Sequence, residues 1–215
     1  MKKLLIWGAG DQGTVTLNCA IAMNEYEQID FLDFKEKGHR EIPGFIIYEE
    51  GKEDIYQIFK KYDEVIVATG DNNLREKKVL QLIEMNIQLA TIIHPTAIIS
   101  PYAKISLGCT ILAYTAININ ACIGMGCIVN TGAIIEHDCI IKNFVNICPA
   151  VAMAGHVIIG NKTFLGIGST IIDDVTIGEN VTIGAGATVI ANIPDNSVAV
   201  GVPAEVIKKK KNKTS

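Results

Sequence analysis

From Ile93 to Val189 every sixth residue is aliphatic, with Met153 the one thioether, and the register never slips. The rungs run from Ile93, Ile99 and Ile105 through Ile135, Ile141 and Ile147 to Ile177, Ile183 and Val189. Four residues after a rung sits something small or β-branched, as at Ala97, Cys109, Thr115, Ala133, Val157 and Ala187. A period of six is neither the 3.6 of a helix nor the 2 of a plain strand. It is the signature of a hexapeptide repeat, in which each hexad is one short strand plus a turn and the stacked hexads form a left-handed parallel β-helix. Three hexads close one triangular coil, so residues eighteen apart stack directly. The ladder is long enough for between five and six coils.

The residues before the ladder read differently. Lys2 to Trp7 is a buried strand, followed by Gly8-Ala9-Gly10-Asp11-Gln12-Gly13 and a helix to about Met23. Glu27 to Phe34 reads as a second strand, then a loop with Gly38, Pro43 and Gly44, then a polar helix from about Glu50 to Lys61. Glu64 to Thr69 is a third strand, closed by Gly70-Asp71-Asn72-Asn73, with Asn72 or Asn73 as the cap of a helix to about Met85. Gln88 to Ile93 is a fourth strand. This alternation predicts a small parallel sheet flanked by helices over residues 1–92, with the β-helix and a tail over 93–215. His94-Pro95 marks the junction, because the residue before proline is held extended.

The first unit carries G-x-G-x-x-G between a strand and a helix, with Asp33 at the end of the next strand. That is the spacing and context of a dinucleotide turn, in which glycines admit a phosphate to free N–H groups at a helix N-terminus. A glycine turn that merely packs and an NAD site both compete with this reading. The domain is half a dinucleotide fold (half-Rossmann), and no hydride-transfer domain follows it. A mononucleotide fits better, and a nucleotide sugar contains one.

Composition narrows the class. Hydrophobic residues make up 49% of the 215 residues, yet no run reaches the ~18–20 apolar residues of a membrane span. The surplus belongs to the rungs. The start of the chain lacks the apolar region and cleavage site of a signal peptide, so a cytoplasmic location is expected. Cys109, Cys127 and Cys139 fall on the small inward position, where a thiol packs as a hydrophobe. No Cys/His group has zinc spacing, and no metal is expected. Net charge is −4. The Lys208–Lys211 run with Lys213 reads as a solvated, frayed tail, and no basic face invites nucleic acid.

The residue before each rung should point outward. In the middle coils these are Cys122, Ile128, Ile134, Ile140, Ala152, Ile158 and Phe164; later they are Thr170, Thr176, Thr182 and Thr188. An apolar outward band predicts self-association through the middle coils, with the threonine-bearing coils less involved.

Two of the four histidines lie within the coils. His137 sits at a turn between Glu136 and Asp138, and a carboxylate that holds one ring nitrogen raises the basicity of the other. Gly155, eighteen residues on, stacks above it. Its bare N–H is placed to hold an oxyanion. A base and an oxyanion donor one coil apart suit acyl transfer. From spacing alone, a surface-turn histidine without function fits too, and His156 competes for the role of base.

Taken together, the glycine turn, the hexads and Asn130 to Asp138 (NTGAIIEHD) resemble the bacterial nucleotide-sugar N-acetyltransferases. The nearest in pattern act on UDP-4-amino sugars in bacillosamine synthesis; GDP-perosamine N-acetyltransferases and sialic acid O-acetyltransferases are relatives. The resemblance implies acetyl-CoA as co-substrate, His137 as base, Asp138 as its orienting acid, Asn130 as a further active-site residue and Gly155 facing the thioester carbonyl. Gly155, His156, Ile167, Gly168 and Ala185 would lie along acetyl-CoA, with Gly201 and Pro203 near its far end. The nucleotide would sit on Gly8, Gly10, Asp11, Gln12, Gly13, Asp33, Gly70, Asp71 and Asn72. A homotrimer with its site between subunits is implied, which suits the apolar band. Two departures stand out. The family's turn commonly reads G-x-S-G-H-G, and some members carry a second active-site histidine where this chain has Asn146. O-acetylation of a sugar hydroxyl and a non-catalytic nucleotide-binding role remain as alternatives.

Overall fold

The computed structural model describes residues 1–34, 43–52 and 54–210. The N-terminal unit is a four-stranded parallel sheet in the order β3-β2-β1-β4, formed by β1 (Lys2–Trp7), β2 (Tyr26–Asp33), β3 (Ile47–Glu49) and β4 (Glu64–Val67). Leu4, Leu5, Ile6 and Trp7 are all buried, as the centre of a sheet covered on both faces requires. Helix α1 (Asp11–Met23) covers one face through Leu17, Cys19 and Ala20. Helices α2 (Ile55–Phe59) and α3 (Asn72–Glu84) cover the other through Ile58, Phe59, Val79 and Leu82.

Four local expectations change. Part of the expected loop after β2 is strand β3, while Gly38 lies outside the described residues. The helix expected over Glu50–Lys61 shrinks to α2, capped by Asp54. The cap of α3 is Asp71, whose carboxylate accepts from the Asn73 and Leu74 amides, not Asn72 or Asn73. The stretch Gln88–Ile93 does not add a strand to this sheet. Only Leu89 bridges to Val65, and Ile92–Ile93 pairs with Thr110–Ile111 in the coils. Ile93 is the first rung, and coil pairing takes over as soon as the hexads begin.

From there each hexad contributes one two-residue strand, and the strands stack into three parallel sheets, the faces of a left-handed prism. The first face holds the strands that start at Ile92, Thr110, Ile128, Asn146, Phe164 and Thr182. The second starts at Ile98, Ala116, Ile134, Ala152, Thr170 and Thr188. The third starts at Lys104, Cys122, Ile140, Ile158 and Thr176. The rungs fill the interior as one continuous core. Each fully buried aliphatic contributes roughly 1.5–3 kcal/mol, so the ladder dominates this half of the chain. Cys109, Cys127 and Cys139 are buried as expected, and each Sγ donates 3.1 Å to a carbonyl fifteen residues on. At each corner from Gly108 to Gly186 one residue turns through positive φ. Asn120, Asp138, His156 and Asp174 do so between the second and third faces.

The N-terminal unit lies on the first face. Leu112 and Phe144 join its two cores, the Cys19 thiol donates to Ile111 O, and Ile128 is 1% exposed. The apolar band is therefore corrected: its residues are spread over three faces, and Ile128 is covered by the chain's own N-terminal unit. Ile134 and Ile140 remain exposed, on either side of the corner that carries His137. The threonines divide likewise, with Thr170 donating to Thr188 along the second face. At the far end Ser197–Val200 and Glu205–Lys209 form an antiparallel hairpin, so Lys208 and Lys209 are strand residues with exposed side chains and not a frayed tail. Residues 211–215 lie outside the description. Among the described residues no helix is long and apolar enough to cross a membrane.

Candidate active site

The sequence-predicted residues gather at three places. The first is the corner between the second and third faces. His137 Nδ1 and Asp138 Oδ2 are 2.9 Å apart, and the Asn120 amide donates to Asp138 Oδ1 at 3.0 Å. These bonds, Asn120 first and His137 second, hold the Asp138 carboxyl below the usual carboxylate range, so it stays anionic. An anionic partner on Nδ1 keeps the proton there and leaves Nε2 as the acceptor.

Gly155 stacks on His137 as the eighteen-residue rule requires, and His156 N donates to His137 O at 3.1 Å. A Cβ placed on Gly155 would lie 2.7 Å from His137 Nε2. The imidazole therefore rests on the bare Cα, and only glycine leaves room for it. His156 follows at the positive-φ corner, its ring edge-on to His137 with centroids 5.2 Å apart. Ligand atoms of His137, Asp138 and His156 also fall within 4.8 Å of one another, near enough for one ion to reach all three. Gly155→Ala is expected to fold normally, with the ring displaced and kcat lowered by about 10–10²-fold, since small misplacements of catalytic groups cost that much. Steady-state kinetics beside a circular dichroism melt checks this.

The second place is a cleft of about 440 Å³ at the C-terminal edge of the N-terminal sheet. Gly8, Gly10, Asp11, Gln12, Asp33 and Gly70 line it, as expected of a βα nucleotide site. Gly10 caps α1 without a side-chain bond, and a Cβ there would meet nothing, so its amide edge is open to the cleft. Gln12 Nε2 is buried with no acceptor among the described residues. Asp33 is partly committed, because its Oδ2 accepts from the Ala9 N–H at 2.7 Å and so ties the turn to β2. Three expected residues are not in the lining. Gly13 allows the turn to close against Gly8 O, Asp71 caps α3, and Asn72 faces the coils. Sequence reasoning missed Phe34, Leu74 and Lys78. Lys78 is nearly buried, donates to Glu50 at 3.1 Å and lies 4.3 Å over the Trp7 ring. Leu74 and Lys78 are four apart on α3, and that shared face was the available signal.

The third place is the corner between the first and second faces. Ile167, Gly168 and Ala185 are exposed there, and Gly201 and Pro203 continue the line. Asn130 lies at the same corner. Its Nδ2 donates to Asn146 Oδ1 at 3.2 Å and Ile147 O at 2.8 Å, and Asn146 Nδ2 reaches Gly70 O at 3.4 Å. Asn146, buried on the first face, thus bridges the cleft rim to this corner and does not approach His137. Within one chain the acetyl-CoA residues divide: Gly155 and His156 are at one corner, the rest at another.

Comparison with known proteins agrees with this fold. Residues 3–82 match the PglD N-terminal domain model, and residues 156–191 match the bacterial transferase hexapeptide (six repeats) model. A histidine variant of the perosamine N-acetyltransferase from Caulobacter crescentus, solved with CoA and GDP-perosamine, is 31% identical over 96% of this chain and 97% of that one, with a TM-score of 0.89. The acetyltransferase domain of PglB from Neisseria gonorrhoeae FA1090, in complex with acetyl coenzyme A, is 31% identical over 95% and 98%, with a TM-score of 0.87. WeeI from Acinetobacter baumannii AYE shares the fold at 22% identity, over 95% and 99%, with a TM-score of 0.84. With identity at this level over nearly the full length of both chains, the protein belongs to the hexapeptide-repeat nucleotide-sugar N-acetyltransferase family, whose enzymes are acetyl-CoA-dependent.

Proposed function

We propose that this enzyme transfers the acetyl group of acetyl-CoA to the amine of a nucleotide-linked amino sugar, with a UDP-linked 4-amino sugar as the favoured acceptor. The observation that carries the chemistry is the stack of Gly155 on a His137 ring oriented by Asp138. The sugar amine attacks the thioester carbonyl. A C–N bond forms, the C–S bond breaks, and CoA leaves as thiolate. His137 Nε2 takes the amine proton during the attack, and the Gly155 N–H stabilises the oxyanion of the tetrahedral intermediate.

The cleft supplies the acceptor. The open amides at the start of α1 suit a diphosphate. The unpaired Gln12 amide stands where relatives carry a histidine and offers a donor to a phosphate or sugar oxygen. Exposed Phe34 and the apolar stem of Lys78 give a base two surfaces to pack on. The pantetheine and nucleotide of acetyl-CoA lie along Ile167, Gly168, Ala185 and the Gly201–Pro203 turn. The assembly is a homotrimer in which the His137 corner of one subunit faces the cleft and groove of the next. Six free cysteines suit a reducing compartment, the cytoplasm.

The test is acetyl-CoA-dependent thiol release measured across UDP- and GDP-linked amino sugars and matched hydroxy sugars. Release with a UDP-4-amino sugar, and none with its hydroxy counterpart, is the expected result. Preference for a GDP-amino sugar would overturn the nucleotide assignment, and release with only the hydroxy sugar would overturn N-acetylation.

A further inference from the structure

We propose that Arg75 is a positioning residue. With Asn72, it sets which coils the nucleotide cleft is docked on, and so where the sugar amine is delivered. This rests on the reading of the cleft as the acceptor site.

Arg75 is 0% exposed, yet among the described residues none of its hydrogen bonds goes to a carboxylate. Its Nε donates to Gly126 O at 2.7 Å, Nη1 to Thr69 O at 2.9 Å, and Nη2 to Phe144 O at 2.9 Å and Asn72 Oδ1 at 2.7 Å. Asn72 Nδ2 in turn donates to Lys162 O at 2.9 Å. Gly126, Phe144 and Lys162 are eighteen apart. All three are positive-φ corner residues between the third and first faces, on three successive coils. Among the described residues, no backbone amide donates to any of their carbonyls. The corner therefore presents a column of free acceptors, one per coil, and two side chains of the N-terminal unit take three of them in a row.

At its other end the same segment shapes the cleft. Thr69 and Gly70 form its rim, and Leu74 and Lys78 its wall. The corner column repeats about every 4.8 Å, the strand spacing, so apolar packing alone distinguishes poorly between neighbouring registers. A planar guanidinium whose donors diverge reads two adjacent corners and the Thr69 carbonyl at once. Burial draws its pKa down to about 10, so it stays charged at neutral pH. A buried ion whose hydrogen bonds all go to neutral oxygens, with the Asp71 carboxylate as a nearby counter-charge, is a poor source of stability compared with an apolar side chain of similar volume. Its advantage here is register.

The experiment compares Arg75→Met, Arg75→Lys and Asn72→Ala with the parent. It measures kcat and KM for the nucleotide amino sugar, acetyl-CoA Kd by calorimetry, and melting by circular dichroism. Folded Arg75→Met and Asn72→Ala should lose about 10–10²-fold in kcat/KM for the sugar, with Arg75→Lys between them and the parent, because delivery of the amine shifts by fractions of a coil. Acetyl-CoA Kd should stay within about twofold, since its groove is on another corner. A sugar kcat/KM within twofold of the parent overturns the proposal, and so does an equal loss of acetyl-CoA affinity, which would mark general loosening. If Arg75→Met does not fold, Asn72→Ala decides alone, because it keeps the three backbone-carbonyl bonds of Arg75 and loses the third-coil contact together with the Asn72 Oδ1 partner of Nη2. A parent inactive on every nucleotide amino sugar would sink the functional reading instead.

Discussion

Replacing His137 with alanine is expected to lower kcat by about 10²–10⁴-fold, the range of a lost general base, while acetyl-CoA Kd changes little. Among the described residues, the imidazole is the group that combines an oriented lone pair with the open Gly155 backbone. Asn120 holds Asp138, Asp138 holds Nδ1, and Nε2 is left above the Gly155 Cα. Removal of the ring leaves the Gly155 N–H and the bound substrates in place, so the oxyanion donor and proximity terms survive and residual turnover remains. An amine near neutral pH is already a fair nucleophile once neutral, which sets the lower end of the range. The competing base, His156, contacts the His137 ring but has no carboxylate hydrogen bond of its own among the described residues. His156→Ala should therefore cost far less than His137→Ala. Single-turnover rates measured with saturating acetyl-CoA separate the two, and a His137→Ala enzyme with the parent rate would remove His137 from the role.

The eighteen-residue stack was legible in the sequence because it is periodic. The register of the rungs alone puts Gly155 over His137 and Asp138 beneath His156. The βα glycine turn was legible too, since its spacing is local. What stayed hidden depends on pairs far apart in the chain. Arg75 meets Gly126 and Phe144, Asn72 meets Lys162, and Asn146 meets Gly70. None of these leaves a mark in spacing or composition. The outward band was read one residue at a time, and so it gave no sign that Ile128 faces the chain's own N-terminal unit. Strand β3 escaped for another reason. It is three half-buried residues, too short for alternation to show. Asn146 stands where some relatives carry an active-site histidine and was expected among the substrate-binding residues; its side chain joins the cleft rim to Asn130.

Two inactive variants are expected to regain activity when they share an oligomer, up to about a quarter of the parent in a random equimolar mixture. The expectation follows from the prism. The N-terminal unit covers the first face, and its cleft, with Asn146, Asn130 and the Gly168 corner, lies on that side. His137 is at the corner between the second and third faces, which in a triangular coil is the corner opposite the first face. The core of rungs fills the space between, so a ligand held in one chain's cleft does not reach that chain's own His137. Exposed Ile134 and Ile140 flank the His137 corner and provide apolar surface for a neighbour to cover. Suitable partners are His137→Ala, which keeps its cleft, and Gly10→Phe, which keeps its base. Gly10 has φ −81 and open space where a side chain would go, so phenylalanine fills the cleft without straining the turn. Each site of a mixed ring needs an intact base from one neighbour and an intact cleft from the other. Random assortment supplies that pair in about one site of four, and in about one of three once tandem purification has removed the unmixed trimers. Co-expression with two different tags, tandem purification and thiol-release assay give the measurement. Recovery above both single variants supports a site built by two subunits. Purified mixed oligomers as inactive as either variant alone would place the whole reaction within one chain.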